Sequence, residues 1–323
     1  MTERRLSEQL DLAVQAVLDL RPAEPSEPEP QIAALAAIAA DLRQLPRVDF
    51  RARLQSELER SAIMSANEEA AAAPVREGYT TVTPYLVVGR LDPFVDFLKQ
   101  AFGAEEILRA PGSAGGTHVE LRLGDSMIMA GGASGYPGTP SALHLYVRDA
   151  DTVYQRAIAA GAEPIYEMMD MPYGDREGGV RDGFGNSWYI ATHRATGHRP
   201  EGMRTVTPTL HPRGADPLLD FMKRGLGAVE TMCERDPEGT VRHAALRIGD
   251  AAVEVGEARG PIEPTAATLL LYVSDVDAAY RRALDAGAGS IEAPADQPYG
   301  ERRAGVQDGH GNKWYFSGPI RKP

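Results

Sequence analysis

Pro172-Tyr173-Gly174-Asp175-Arg176-Glu177-Gly178-Gly179-Val180-Arg181-Asp182-Gly183-Phe184-Gly185-Asn186-Ser187-Trp188-Tyr189 returns, lightly altered, as Pro298-Tyr299-Gly300-Glu301-Arg302-Arg303-Ala304-Gly305-Val306-Gln307-Asp308-Gly309-His310-Gly311-Asn312-Lys313-Trp314-Tyr315. The duplication extends outward. Leu121-Arg122-Leu123-Gly124-Asp125 returns as Leu246-Arg247-Ile248-Gly249-Asp250, and Thr81-Val82-Thr83-Pro84 as Thr205-Val206-Thr207-Pro208. The offset is 124 residues between Thr83 and Thr207 and 126 between Asp182 and Asp308. Solenoid units run about 20–50 residues, so this is a duplicated domain of ordinary size.

A smaller repeat lies inside each copy. Tyr85 to Val88 reads as a strand, and Phe94, Phe97, Leu98 and Phe102 recur at helical spacing up to Gly103, where a helix C-cap glycine belongs. Strands follow at 106–108, 117–123 and 127–130, with Gly124-Asp125 as a hairpin turn. The pattern restarts with a strand at 143–147, a helix at 153–160 and strands at 163–167, 178–181 and 188–192. One copy is therefore strand-helix-strand-strand-strand, twice. The chain holds four such modules, near 81–131, 141–193, 205–256 and 266–318.

Ahead of them, Leu6, Leu10, Val14 and Leu18 mark an amphipathic helix, Ile32, Leu35, Ile38 and Leu42 a second, and Phe50, Leu54 and Leu58 a third. The expected division is a helical segment over 1–64, an Ala-rich linker over 65–79, a first domain over 80–197 and a second over 198–323. The leader's apolar stripes either pack on the repeats or dock a protein partner.

Composition narrows the function classes. A net charge of −12 argues against nucleic acid or an anionic membrane as partner. The single cysteine, Cys233, cannot make an internal disulfide, which points to a reducing, cytoplasmic setting. Glu8 and Asp11 interrupt any apolar stretch behind Arg4-Arg5, so no signal peptide is read, and no window approaches the length of a membrane span.

Paired βαβββ modules resemble the vicinal oxygen chelate superfamily, which includes glyoxalase I, bleomycin-resistance proteins and extradiol dioxygenases. The stretches FLKQAFGAEEILR, HVELRLGDSMIM, LHLYVRDADTVYQRAIAAGAEPI and PYGDREGGVRDGFGNSWYIATH resemble its PhnB-like branch, and the second copy matches with FMKRGLGAVE and PYGERRAGVQDGHGNKWYFSG. The resemblance covers about 80–318 and implies an α+β fold. Each tandem domain would curl two modules into an open cup-shaped sheet, so that one chain mimics a family dimer. Fold alone does not set activity.

In metal-dependent members, four strand positions aim His, Gln or Glu at one divalent ion, which acts as a Lewis acid. Here the resemblance puts those positions at Thr83, Met129 (or Ile128), Ala142 and Tyr189 in the first copy. In the second they fall at Thr207, Glu254, Thr268 and Tyr315. Only Glu254 is a usual ligand, so the family metal site is expected to be missing and no cofactor is implied.

Other polar residues point into the first cup. His118 and Glu120 share one face of a strand, His144 and Tyr146 share the face of Ala142, and Tyr85 shares that of Thr83. This set is an unconventional metal triad, an acid/base group, or a carboxylate simply held by Arg122 or His118. The second copy has His243, Ala245 and Leu270 at the matching positions, so a polar ligand is expected in the first cup, against Tyr85, Glu120 and His144. Tyr173 with Arg176, and Tyr299 with Arg302, either meet a planar or anionic ligand at a cup mouth or pair with Asp182 and Asp308. If Tyr189 and Tyr315 face the cups, Trp188 and Trp314 face the core under the helices. The resulting expectation is a small-molecule-binding protein of resistance or sequestration type. The alternatives are a lyase, isomerase or dioxygenase-type enzyme built on His118, Glu120 and His144, or a scaffold whose leader recruits a partner.

Overall fold

The computed structural model describes residues 75–320 apart from 113, 114, 133, 134 and 136. The helical leader and most of the linker lie outside the described residues. The first module contains β1 (Val82–Val88), α1 (Leu91–Phe102), β2 (Glu105–Pro111), β3 (Thr117–Leu123) and β4 (Ser126–Gly132), followed by a two-residue strand, β5 (Gly138–Thr139). The second has β6 (Ala142–Tyr146), α2 (Ala150–Ala159), β7 (Glu163–Asp170), β8 (Asp175–Arg181) and β9 (Ser187–His193). The third has β10 (Val206–Leu210), α3 (Ala215–Leu226), β11 (Val229–Arg235), β12 (Val241–Ile248) and β13 (Ala251–Val255). The fourth has β14 (Thr268–Tyr272), α4 (Val276–Asp285), β15 (Gly289–Asp296), β16 (Glu301–Gln307) and β17 (Lys313–Pro319).

Local signals account for the elements. On α1, Leu91, Phe94, Val95, Leu98, Ala101 and Phe102 form one buried stripe, and Gly103 closes the helix at φ 75°. Asp149 and Asp275 cap α2 and α4 by accepting the Thr152 and Ala278 amides, each at 2.9 Å. Among the described residues, no helix is long and apolar enough to cross a membrane.

The fourfold module pattern is present, but the sheets do not follow the copies. Within every module the first and last strands run parallel, and modules join by antiparallel pairing of their first strands. β1 pairs with β14, which places the first and fourth modules in one sheet, ordered β15-β16-β17-β14-β1-β4-β3-β2. β10 pairs with β6, which places the second and third modules in the other, ordered β11-β12-β13-β10-β6-β9-β8-β7. We call these the outer cup and the inner cup. The expected cup from residues 80–197 and cup from 198–323 are thus replaced by two composite cups.

The hydrophobic cores, in contrast, follow the copies, save that Val82 and Val206 each join the core of the other. One cluster gathers Phe94, Leu98, Phe102, Val153, Tyr154 and Trp188 under α1 and α2. The other gathers Leu218, Phe221, Met222, Ala279, Trp314 and Phe316 under α3 and α4. Trp188 and Trp314 are fully buried beneath the helices, as the strand alternation requires. Each Trp Nε1 donates to an aspartate, Asp182 or Asp308, at 2.9 Å. Those aspartates also accept two turn amides and an Asn side chain. The Asp-Gly-x-Gly-Asn repeat is therefore a structural turn.

The Gly-Asp hairpins explain the crossed assembly. Asp125 accepts the Thr205 amide at 2.8 Å, just before β10, and Asp250 accepts the Thr81 amide at 2.8 Å, just before β1. The turn of one copy thus grips the entry to the other, twice over. Gly124 and Gly249 have positive φ, and a Cβ would fall 2.4 Å from Thr205 Oγ1 or 2.3 Å from Thr81 Oγ1. Only glycine admits both the backbone conformation and the contact.

Candidate functional site

The inner cup closes around a buried charged group. His144 on β6 has its Nδ1 2.9 Å from Glu254 Oε2 on β13 and its Nε2 3.2 Å from Glu177 Oε2 on β8. The first contact is a hydrogen bond. The second is close but off the line of one, so Nε2 has no hydrogen-bond partner among the described residues. Thr209 donates to Glu254 at 3.2 Å, and His243 Nε2 lies 3.5 Å from its other oxygen. Tyr166 and Tyr173 donate to Glu177 at 2.5 and 3.1 Å. Two residues before Glu177 on the same face, Asp175 pairs with His193 Nδ1 at 2.5 Å.

Burial on its own would discharge these groups, and their mutual attraction reverses it. Desolvation works against the imidazolium, but the Glu254 and Glu177 charges raise His144 well above the ordinary histidine value. Desolvation likewise raises both carboxyls, and the His144 charge more than compensates, holding Glu254 and Glu177 below the ordinary carboxylate range. The His144 ring stacks on Tyr146 with centroids 4.2 Å apart. Nearby, His211 donates from Nδ1 to Gly256 O at 3.1 Å and meets the Tyr189 ring edge-on. Burial pushes its pKa down to about 4, so it stays neutral.

The outer cup is more open. Tyr85, Met127, Leu270 and Tyr315 line it and are each only partly buried. Glu120 on β3 is buried and clamped by Arg76, whose Nη1 and Nη2 donate at 2.6 and 3.0 Å. His118 Nε2 lies 3.3 Å from the same carboxylate, and His118 Nδ1 3.3 Å from the Tyr85 hydroxyl. Burial would raise Glu120, but the hydrogen bonds from His118 and Arg76 bring it down to about 2. Arg303 on β16 lies over the Tyr315 ring at 4.4 Å, and its buried Nε faces Glu292 Oε2 at 3.7 Å, with no hydrogen-bond partner among the described residues.

A family model for the Glyoxalase/Bleomycin resistance protein/Dioxygenase superfamily matches residues 78–190 and 213–316. The chain belongs to this superfamily. It is 38% identical over 122 residues to uncharacterised proteins of Mycobacterium bovis and Mycobacterium tuberculosis, covering 34% of this chain and 80% and 72% of theirs. Among solved structures, a mutant of glyoxalase I from Zea mays superposes with a TM-score of 0.60 at 14% identity, covering 79% of this chain and 96% of that one. A putative dioxygenase from Bacillus subtilis gives 0.50 at 12% identity, covering 74% and 84%. At such identities the likeness is one of fold.

The four positions at which metal-dependent superfamily members are expected to hold their ion are also reassorted. The outer cup brings together Thr83, Met129, Thr268 and Tyr315, and the inner cup Ala142, Tyr189, Thr207 and Glu254. Neither set suits a divalent ion: hydroxyls, a thioether and a methyl group surround at most one carboxylate. That carboxylate, Glu254, is already engaged by His144 and Thr209.

Several sequence expectations need correction. His118 and Glu120 belong to the outer cup and His144 to the inner, so the proposed triad never assembles, and a polar ligand cannot meet Tyr85, Glu120 and His144 together. Copy-wise reading failed because an antiparallel seam between first strands can join any two modules. For the same reason Leu270 lies in the outer cup and His243 and Ala245 in the inner, so neither copy owns an apolar cup. Glu120 is held by His118, as one reading had it, but not by Arg122, which pairs with Glu105. Arg176 and Arg302 do not reach the cups or Asp182 and Asp308. Each forks onto an aspartate in the first turn of a helix, Asp151 at 3.0 and 2.7 Å and Asp277 at 2.5 and 2.8 Å. Tyr173 does contact the inner site, through Glu177, whereas Tyr299 is exposed at the outer rim.

Sequence reasoning missed Glu177, Asp175, Tyr166, Thr209 and Arg76. The alternation Asp175-x-Glu177 on a strand facing Tyr189 was a usable signal for the first two. Arg76 had none, because it sits in the segment read as linker.

Proposed function

We propose that this chain binds and sequesters a small amphipathic molecule in the outer cup, a resistance-type role that needs no ion at the superfamily's metal positions. The observation that carries this reading is the partly open apolar and aromatic lining of Tyr85, Met127, Leu270 and Tyr315, with the Arg303 guanidinium over the Tyr315 ring. An apolar body packs on the rings and Leu270, and an anionic group competes with Glu292, 3.7 Å from Arg303 Nε, for the guanidinium. The clamped Glu120, with a pKa of about 2, is a weak base at neutral pH and serves as a fixed acceptor, which favours binding over proton abstraction. The quoted motifs support a place in the PhnB-like branch, and the single cysteine supports a cytoplasmic setting.

The test is titration of the full chain with anilinonaphthalene sulfonate, an aromatic anion of suitable size, followed by fluorescence. The expected result is saturable binding at one equivalent, weakened at least about tenfold by Leu270→Glu or Arg303→Gln, on the scale of one charge-assisted contact. Binding that both substitutions leave intact would place the ligand elsewhere and remove the reading.

A further inference from the structure

The inner cup contains a ligand set that the superfamily's own metal positions do not supply. His144, Asp175 and Glu177 are all buried, and each offers a donor atom within 4.8 Å of the others. His144 Nε2 is buried with no hydrogen-bond partner among the described residues, yet lies 3.2 Å from Glu177 Oε2. Bonds of about 2.0–2.2 Å around a tetrahedral or octahedral ion set neighbouring donors about 3–3.5 Å apart, so the His144–Glu177 separation matches one edge of a coordination polyhedron.

The surroundings are those of a metal-bound imidazole. Glu254 accepts from Nδ1 at 2.9 Å, which keeps the proton on Nδ1 and orients Nε2 toward Glu177 and Asp175 for an ion that displaces the Nε2 proton. Asp175 is steadied in turn by His193 at 2.5 Å. The equivalent positions of the outer cup, Leu270, Glu301 and Arg303, replace the imidazole with an alkyl group and one carboxylate with a guanidinium. The donor set is therefore particular to the inner cup.

We propose that the inner cup binds one divalent first-row transition ion on His144 Nε2 and one carboxylate oxygen each of Glu177 and Asp175, with Glu254 orienting the imidazole. One nitrogen and two carboxylate oxygens suit Zn, Mn or Fe(II) better than the softer ions. Binding displaces the Nε2 proton of the His144 imidazolium, which is released to solvent.

The test uses the full chain, stripped with a chelator and titrated with Zn2+ by calorimetry and with Co2+ by visible absorption. One equivalent is expected, with Co2+ bands in the visible region. Glu177→Gln is expected to lower affinity at least about a hundredfold, and Glu254→Gln, which changes only the outer partner, about 10–100-fold. His310→Ala, on a distant turn, should change nothing. Should Glu177→Gln fail to fold by circular dichroism, Asp175→Asn takes its place, with an expected loss of at least about tenfold. No saturable uptake tighter than about 100 µM, or uptake unchanged in both Asp175→Asn and Glu254→Gln, would overturn the proposal.

Discussion

The outer and inner cups are built from the same module in the same register, yet one is half-open and largely apolar and the other closed and ionic. Four aligned differences account for much of this. Leu270 replaces His144, Met129 replaces Glu254, Arg303 replaces Glu177, and Glu292 replaces Tyr166. Each cup takes one module from each copy, so a substitution in either copy alters a cup without a counterpart change in its own domain. Duplication with crossed pairing thus lets two sites diverge on one scaffold while the helix-side cores, which follow the copies, stay alike.

The sharpest way to break the comparison is to remove the imidazole. His144→Leu, the residue of the outer cup, leaves Glu254 and Glu177 buried without their cation, and should cost about 3–5 kcal/mol in urea unfolding with chelator present. Adding Glu254→Met and Glu177→Gln should recover most of that loss, because a well-packed apolar replacement of a buried ion pair is often neutral. If the triple variant is no more stable than the single one, packing rather than charge separates the cups.

The seam tests whether the copies are equivalent where the cups are not. Gly124→Ala and Gly249→Ala each force a left-handed alanine against a threonine side chain, and each should cost about 2 kcal/mol. Values differing by more than about 1 kcal/mol would show that the two interlocks have diverged as well.

Acid sharpens the contrast from the outer side. Glu120 has its pKa depressed to about 2, so its contribution is fully present above the unfolded-state value near 4.5 and is lost as pH falls through 2. Arg76 is half-exposed, which reduces the expected contribution to about 1–2 kcal/mol. Glu120→Gln should flatten the stability profile between about pH 5 and 2 by that amount. An unchanged slope would mean that Arg76 and His118 do not hold the carboxylate in solution. Smallest of all, Arg176→Ala and Arg302→Ala should leave both the unfolding midpoint and dye binding unresolved from wild type, since each arginine pairs with partly or fully exposed aspartates at a helix start and on a neighbouring strand, Asp151 and Asp170 or Asp277 and Asp296. A drop in dye binding from Arg302→Ala would bring it back to the cup rim.

Much of this protein was legible in the residues alone. The repeat, the βαβββ period, the C-cap at Gly103, the Gly124-Asp125 turn and the burial of Trp188 and Trp314 all follow from local rules: alternation along a strand, spacing along a helix and the conformational range of glycine. So does the unsuitability of Thr83, Ala142 and Tyr189 as metal ligands, which is a matter of side-chain chemistry. What only the tertiary structure decided is which module faces which. First-strand pairing is made by backbone groups common to all four modules, so sequence does not distinguish β1–β14 from β1–β6 pairing. The choice rests on Asp125 reaching Thr205 and Asp250 reaching Thr81, contacts between residues 80 and 169 positions apart. Because that choice brings Glu254 to the His144–Glu177 pair of the second module and keeps His144 away from Glu120, which an arginine read as linker holds instead, the fold could be read from the chain while the sites could not.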